Sequence, residues 1–302
     1  AAVRLARAAT GREHVAMCGY HGWHDWAIGH TTRSAGVPGA VRGLTHQWSY
    51  NDLDSLRAVL AEHRDEVAAV IMEPVGVEAP APGFLEGVRG LADEHRALLI
   101  FDEVITGFRL AAGGAQEHFG VLPDLAAFGK AMANGYPLAA VAGRAAVMEQ
   151  IVSVVFISST FGGDTVSLAA ALATMRRIRR GGVIEHLWRQ GGRLMEGFNA
   201  LASEHEVRAR MIGLAPRRVI AFEPAGGADA NGVKGLLWQE CLERGVLMGN
   251  ANFVSLAHDD AAVDATLEAF DGALQVVGQA VRTGDVADRL RGHPPAEVFR
   301  RA

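Results

Sequence analysis

Short apolar runs alternate with stretches of helical periodicity along the first half of the chain, and this alternation constrains the fold more than any other feature. Runs at His14–Met17, Val67–Met72, Leu98–Phe101, Leu125–Phe128 and Leu138–Ala142 have the length and aliphatic content of buried strands. Helical patterns at Leu53–His63, Leu85–His95 and Ala145–Ile151 lie between or after them. Strands joined through helices pair in parallel, so this region is expected to form an α/β domain around a mostly parallel central sheet. Ahead of it, Ala1–Ala9 is a run of helix formers closed by Gly11, without an N-capping Ser, Thr, Asp or Asn. The chain is therefore expected to begin inside a helix, as an N-terminally truncated domain. Helical stretches at Thr165–Arg179 and Val183–His205 flank Gly181-Gly182, and beyond them the texture changes. Strand-like Arg217–Phe222 and Phe253–Leu256 accompany helices near Val233–Glu243 and Ala261–Ala280, which describes a smaller α+β domain. The expected division is a large domain over residues 1–180 and a small one over 181–302. The tail Gly284–Ala302 is charged, carries Pro294-Pro295, and is expected to be loosely held.

Charge and composition remove several functional classes. The net charge is −5, which provides no basic field for a phosphate backbone, so no nucleic-acid partner is expected. No apolar run reaches the roughly 20 residues that cross a bilayer, and the first residues lack signal-peptide architecture; no membrane association and a cytoplasmic location are expected. Cys18 and Cys241 are far apart and lack metal-ligand spacing. His21, His24 and Asp25 lie close together, but no further ligand follows at a recognisable interval, so no metal is expected there.

Of the 29 basic residues only Lys130 and Lys234 are lysines. Arginine stays protonated and forms no imine, so any step that requires a primary amine must use one of these two. Three polar sites follow apolar runs, at the strand ends where open α/β sheets bind ligands. They are Glu73-Pro74, Asp102-Glu103 after Leu98–Phe101, and Phe128-Gly129-Lys130. A carboxylate closing so apolar a strand needs a partner, and the protonated nitrogen of a pyridine ring is a fitting one.

The residues Tyr20-His21-Gly22-Trp23-His24-Asp25, Glu73-Pro74, Phe101 to Arg109, Pro123-Asp124-Leu125 with Gly129-Lys130, and Ser159-Thr160-Phe161-Gly162-Gly163 occur in one order along nearly the whole chain. In that order and spacing the sequence resembles the class III aminotransferases of fold type I, most closely the glutamate-1-semialdehyde aminomutase branch. The resemblance implies pyridoxal 5'-phosphate as cofactor, a small-molecule amino donor and carbonyl acceptor, and a homodimer with a shared active site. It implies that Lys130 carries the cofactor as a Schiff base and moves protons on it, while Asp102 keeps the pyridine nitrogen protonated. Val104 would pack under the ring, Tyr20 would stack over it, and Glu73 and His21 would join the polar network behind it. Thr160 would reach the phosphate of the neighbouring subunit. The small residue Gly76, where many relatives carry glutamine, matches the aminomutase branch. The family's phosphate loop would lie before Ala1.

Plainer readings stand beside these. Asp102-Glu103 could be a charge pair at a helix N-terminus, with Glu103 alternatively acting on substrate. Thr160 could cap the helix beginning near Thr165. His258 reads as a satisfied loop histidine, and Lys234 as part of a solvated face. Arg109, Arg217 and Arg218 are candidates for a substrate carboxylate. Alternative functions are another reaction of the same cofactor, such as epimerisation or decarboxylation, and a catalytically inactive scaffold that needs a partner chain.

Overall fold

The computed structural model describes residues 1–295, and the chain divides into a compact unit over Ala1–Ile184 and a second beginning at Glu185. In the first unit the order is α1 (Ala2–Thr10), β1 (His14–Cys18), α2 (Asp25–Ile28), α3 (Gly39–Arg42), β2 (Thr45–Gln47), α4 (Leu53–Glu62), β3 (Val67–Met72) and α5 (Phe84–Glu94). It continues with β4 (Leu98–Asp102), α6 (Ala115–Phe119), β5 (Leu125–Phe128), a single 3-10 turn at Lys130–Met132, β6 (Ala140–Gly143), α7 (Ala145–Met148), α8 (Gln150–Ser153) and α9 (Thr165–Arg179).

The six strands lie in the order β2-β1-β3-β4-β5-β6, all parallel except β6, which returns antiparallel to β5. Alternation along each strand divides the core into two layers. Ala16, Cys18, Val70, Met72, Leu99 and Phe101 pack with Leu56, Leu60, Phe84 and Val88 of α4 and α5. Val15, Met17, Ala69, Ile71 and Ile100 face the other way, against Val3 and Leu5 of α1 and Ala27 of α2. Every residue of β3 is buried, as a strand covered on both faces requires.

The connection β1–β2 runs to one side of β1 with Ala27 on the α1 face, whereas β2–β3 and β3–β4 run the other way through α4 and α5 on the opposite face. A right-handed crossover must change faces when the direction of winding reverses, so the switch point falls between β1 and β3. Ligands of open α/β sheets bind outside the carboxyl ends of the strands at such a point.

In the second unit α10 (Val183–Glu204), which starts two residues before the unit boundary, precedes an antiparallel sheet of β7 (Ala209–Leu214), β8 (Arg217–Phe222) and β9 (Ala251–Phe253) with α11 (Ala230–Glu243) and α12 (Asp260–Thr283). Phe198, Leu236, Leu237, Phe270 and Val277 form its core. Asp229 and Asp259 cap α11 and α12 by accepting from the N–H groups of Gly232 and Ala262.

Several local expectations need correction. The strand expected at Phe253–Leu256 ends at Phe253, because only Ala251–Phe253 pair with β8. The last sheet strand begins at Ala140, not Leu138, where register with Phe128 starts. The helix expected over Ala145–Ile151 divides at Glu149 into α7 and α8. Strands β2 and β7 had no alternating pattern strong enough to mark them. In the tail, Val286 is fully buried in the second core and the Arg291 N–H donates to Gln239, so this part is docked. The rest of the expected loose tail, residues 296–302, lies outside the described residues.

Candidate active site

The sheet register puts the polar strand ends in one row. Cys18 pairs with Met72, Met72 with Phe101, and Asp102 with Ala127. Tyr20 and His21 therefore follow β1, Glu73 follows β3, Asp102 closes β4, and Lys130 lies three residues beyond the neighbour of Asp102. Four parallel strands thus deliver these side chains to their common carboxyl edge.

Asp102 is held from two sides. Its Oδ2 lies 2.8 Å from Nδ1 of His21, and its Oδ1 accepts from the Val104 N–H at 3.1 Å. Nε2 of His21 lies 2.9 Å from the Cys18 carbonyl, which can only accept, so this nitrogen donates. The other ring nitrogen, Nδ1, ties the imidazole to the Asp102 carboxyl group. The His21 side chain is 2% exposed while Asp102 retains 17%, so the carboxylate has one open side.

Lys130 opens the 3-10 turn after β5 with φ 42, a left-handed conformation uncommon for a side-chain-bearing residue. Lys130 is exposed, although Gly129, Met132 and Ala133 around it are buried. Met132 and Ala133 pack with Phe108, Phe128, Leu138 and with Ala171 and Met175 of α9, which anchors the turn beneath the amine. A Cβ added to Gly129 would stand 3.5 Å from Cγ1 of Val104, so Val104 lies directly beside the root of the lysine turn. The row therefore carries a carboxylate with one open side on β4, a lysine just beyond the adjacent strand β5, and Val104 packed against the root of the lysine turn. That donor set suits a flat, electron-poor aldehyde-bearing ring.

Glu103 points the other way and is fully buried. Its Oε2 accepts from Thr106 Oγ1 at 2.5 Å and from the Ala115 N–H at 2.9 Å, and its Oε1 accepts from the Gln116 N–H at 2.9 Å and Nε2 at 3.4 Å. It closes the loop between β4 and α6 on itself. Among the two expectations for Glu103, the charge at a helix N-terminus is the one realised, and the helix is α6.

Asp124 is a further residue whose role was not assigned from sequence. Its side chain, 6% exposed, accepts from the Leu99 N–H, Arg89 and Arg144, each at 2.8 Å. Burial opposes ionisation, but the Arg144, Leu99 and Arg89 hydrogen bonds outweigh it and hold the carboxyl below its usual value. The Pro-Asp motif marks it in sequence, and its work is to tie β5 to β4 and α5.

Thr160 is exposed in the turn before α9. It does not cap that helix: the cap is Asp164, whose side chain accepts from the Ser167 N–H at 2.8 Å. Tyr20 is 45% exposed at the edge of the row. His258, in the second unit, is bonded through Nδ1 to Ser255. Arg218 is buried, with Nη1 donating to the Ala215 carbonyl.

Comparison with known proteins gives three kinds of likeness. Residues 1–274 match the family model described as aminotransferase class-III. A glutamate-1-semialdehyde 2,1-aminomutase of Roseiflexus castenholzii is 41% identical, over 94% of this chain and 72% of that protein. A 3-aminobutyryl-CoA aminotransferase of Cloacimonas acidaminovorans is 34% identical, over 91% of this chain and 68% of that protein. Among solved structures, the FumI protein of Sphingopyxis sp. MTA144 in its PLP internal aldimine form superposes with a TM-score of 0.85 at 32% identity, covering 92% of this chain and 68% of that one.

Proposed function

The chain belongs to the class-III aminotransferase family, and from that premise we propose that Lys130 and Asp102 carry the pyridoxal-phosphate-dependent transfer of an amino group between an amino compound and a carbonyl compound. Amino-group transfer with this cofactor is the family's activity, and PLP-bound relatives imply the same cofactor here. The observation that carries the residue assignment is the Asp102–His21 pair at the end of β4, one strand away from the only lysine at this edge.

When bound, pyridoxal phosphate supplies an aldehyde that condenses with amines and a ring that draws electrons from the substrate carbon. Lys130 Nζ would hold it covalently and, once released by the substrate amine, carry protons to and from the reacting carbon. Asp102 would stabilise a proton on the ring nitrogen, and His21 would fix the carboxylate in place for that task. Val104, seated against Gly129, would form the floor, Tyr20 the roof, and Glu73 the polar edge. These residues all lie in Ala1–Ile184, to which we assign cofactor binding.

Thr160 is assigned to the phosphate of a second copy's cofactor. The support is the apolar surface around it: Val152, Val154, Phe156 and Phe161 are 88, 70, 81 and 70% exposed, far more than an isolated surface normally leaves to water. Burial of this segment against a homodimer partner would account for it.

The test is a titration with pyridoxal phosphate, borohydride reduction and peptide mapping, followed by a screen of amino donors. The adduct is expected on Lys130; labelling of Lys234, or of neither lysine, would defeat the assignment. A substrate rearranged without a separate acceptor would place the chain with the aminomutases, which Gly76 favours. A requirement for a donor and an acceptor would place it with the transaminases.

A further inference from the structure

Fifteen ångströms or so from the catalytic row, at the amino end of the five-residue strand β1, three imidazoles meet. His14 opens β1, His46 lies in β2, and His63 is the C-cap of α4. Ala16 pairs with His46, and His14 is two residues before Ala16, so both histidines lie on the α4 face of the sheet. The β1–β3 register shifts between His14 and Val15 with Ala68 as the extra residue on β3, which leaves the alternation of β1 itself intact. The His14 N–H donates to the Glu66 carbonyl, and the Glu66 N–H to the His63 carbonyl, which joins the three segments through the backbone.

We propose that His14, His46 and His63 bind one divalent transition-metal ion of the zinc, nickel or copper type, which clips β1, β2 and α4 together at the edge remote from Lys130. One ligating atom from each ring can be chosen so that all lie within 4.8 Å of one another. His14 Nδ1 and His46 Nε2 are 2.7 Å apart, and their ring planes differ by only 6° at a centroid separation of 5.0 Å, which is an edge-to-edge hydrogen bond rather than a stack. Two imidazoles on one tetrahedral ion need about 3.3 Å between nitrogens, given metal–nitrogen bonds near 2.0–2.1 Å. Replacing the shared proton by a metal thus asks the two nitrogens to part by roughly half an ångström and each ring to tilt by about 35° so that both lone pairs meet at the ion, the proton moving to the far nitrogen of its own ring. His63 stacks on His46 with centroids 3.6 Å apart; its side chain is 18% exposed, so its ring can turn out of the stack toward the ion.

The surrounding charge supports this. Glu66 Oε2 lies 3.8 Å from His14 Nε2 and 3.6 Å from His63 Nδ1, where it can orient the rings by accepting from the nitrogen that does not face the ion. Neutral imidazole selects zinc, copper and nickel, whereas magnesium and calcium demand oxygen ligands.

The test is calorimetric titration of tag-free, chelator-stripped holoenzyme with zinc chloride alone. One ion per chain is expected, at micromolar affinity or tighter, with His63→Ala and His46→Asn each weakening binding about 100-fold or more and exposed His118→Ala leaving it unchanged. Zinc is expected to raise the melting temperature of the wild type but not of His63→Ala, with amino-transfer activity equal in the two. Should either variant fail to fold, His63→Gln, which keeps a polar side chain at the cap, provides the same comparison. No stoichiometric zinc in the wild type, or undiminished binding in a folded His63 variant, overturns the proposal.

Discussion

Replacing Glu103 by glutamine distinguishes a loop lock from a substrate-binding carboxylate. The side chain is fully buried, and four donors from Thr106, Ala115 and Gln116 converge on its two oxygens. Glutamine can keep one oxygen toward Gln116, and the Thr106 hydroxyl can rotate to accept from the new amide. The Ala115 N–H then has no partner, an orphaned buried donor worth about 1–3 kcal/mol, and the remaining bonds lose the strength conferred by charge. The net cost should be about 2–4 kcal/mol, or a melting point lower by roughly 3–6 °C at this chain length. Val104 heads the same loop and donates to Asp102, so cofactor affinity should fall while the reaction of saturated enzyme persists. Differential scanning calorimetry with saturating pyridoxal phosphate, paired with kcat, reads both effects. A variant that melts within about 2 °C of wild type yet loses turnover would refute the lock and return Glu103 to the substrate.

Lys130→Ala should abolish turnover, at least about 10³-fold, while near-ultraviolet dichroism stays native; retained transamination would refute the assignment. Asp102→Asn keeps the shape but not the charge, and kcat should drop by about 10²–10³, measured under cofactor saturation. Asp124→Asn should cost about 2–3 kcal/mol at neutral pH, a figure reduced because its partner Arg144 is 66% exposed. Since folding lowers the Asp124 carboxyl, its stabilisation is complete above the unfolded value near 4 and is lost as pH falls through the folded one; denaturation midpoints of wild type and variant should therefore converge in acid. A gap independent of pH would show that charge is not the cause.

The linear sequence by itself determined the alternation of strands and helices, and with it a parallel sheet whose carboxyl edge must gather Tyr20, His21, Glu73, Asp102 and Lys130. Those signals are local: apolar runs of strand length, a carboxylate ending one of them, and the scarcity of lysine. Family resemblance in ordered motifs supplied the chemistry. What tertiary structure alone decided depends on partners distant in the chain. Glu103 and Asp102 are adjacent and alike in sequence, yet the end of β4 turns one toward His21 at the carboxyl edge and the other into a loop of donors twelve and thirteen residues away. Thr160 is the cap that the sequence suggests, and the helix start selects Asp164 instead. Strand β2 is only three residues long, too short for a period to show, and without it His46 has no reason to meet His14 and His63. Residue type and spacing are written along the chain, whereas which face a side chain presents, and to what, follows from register and packing between segments that the sequence leaves far apart.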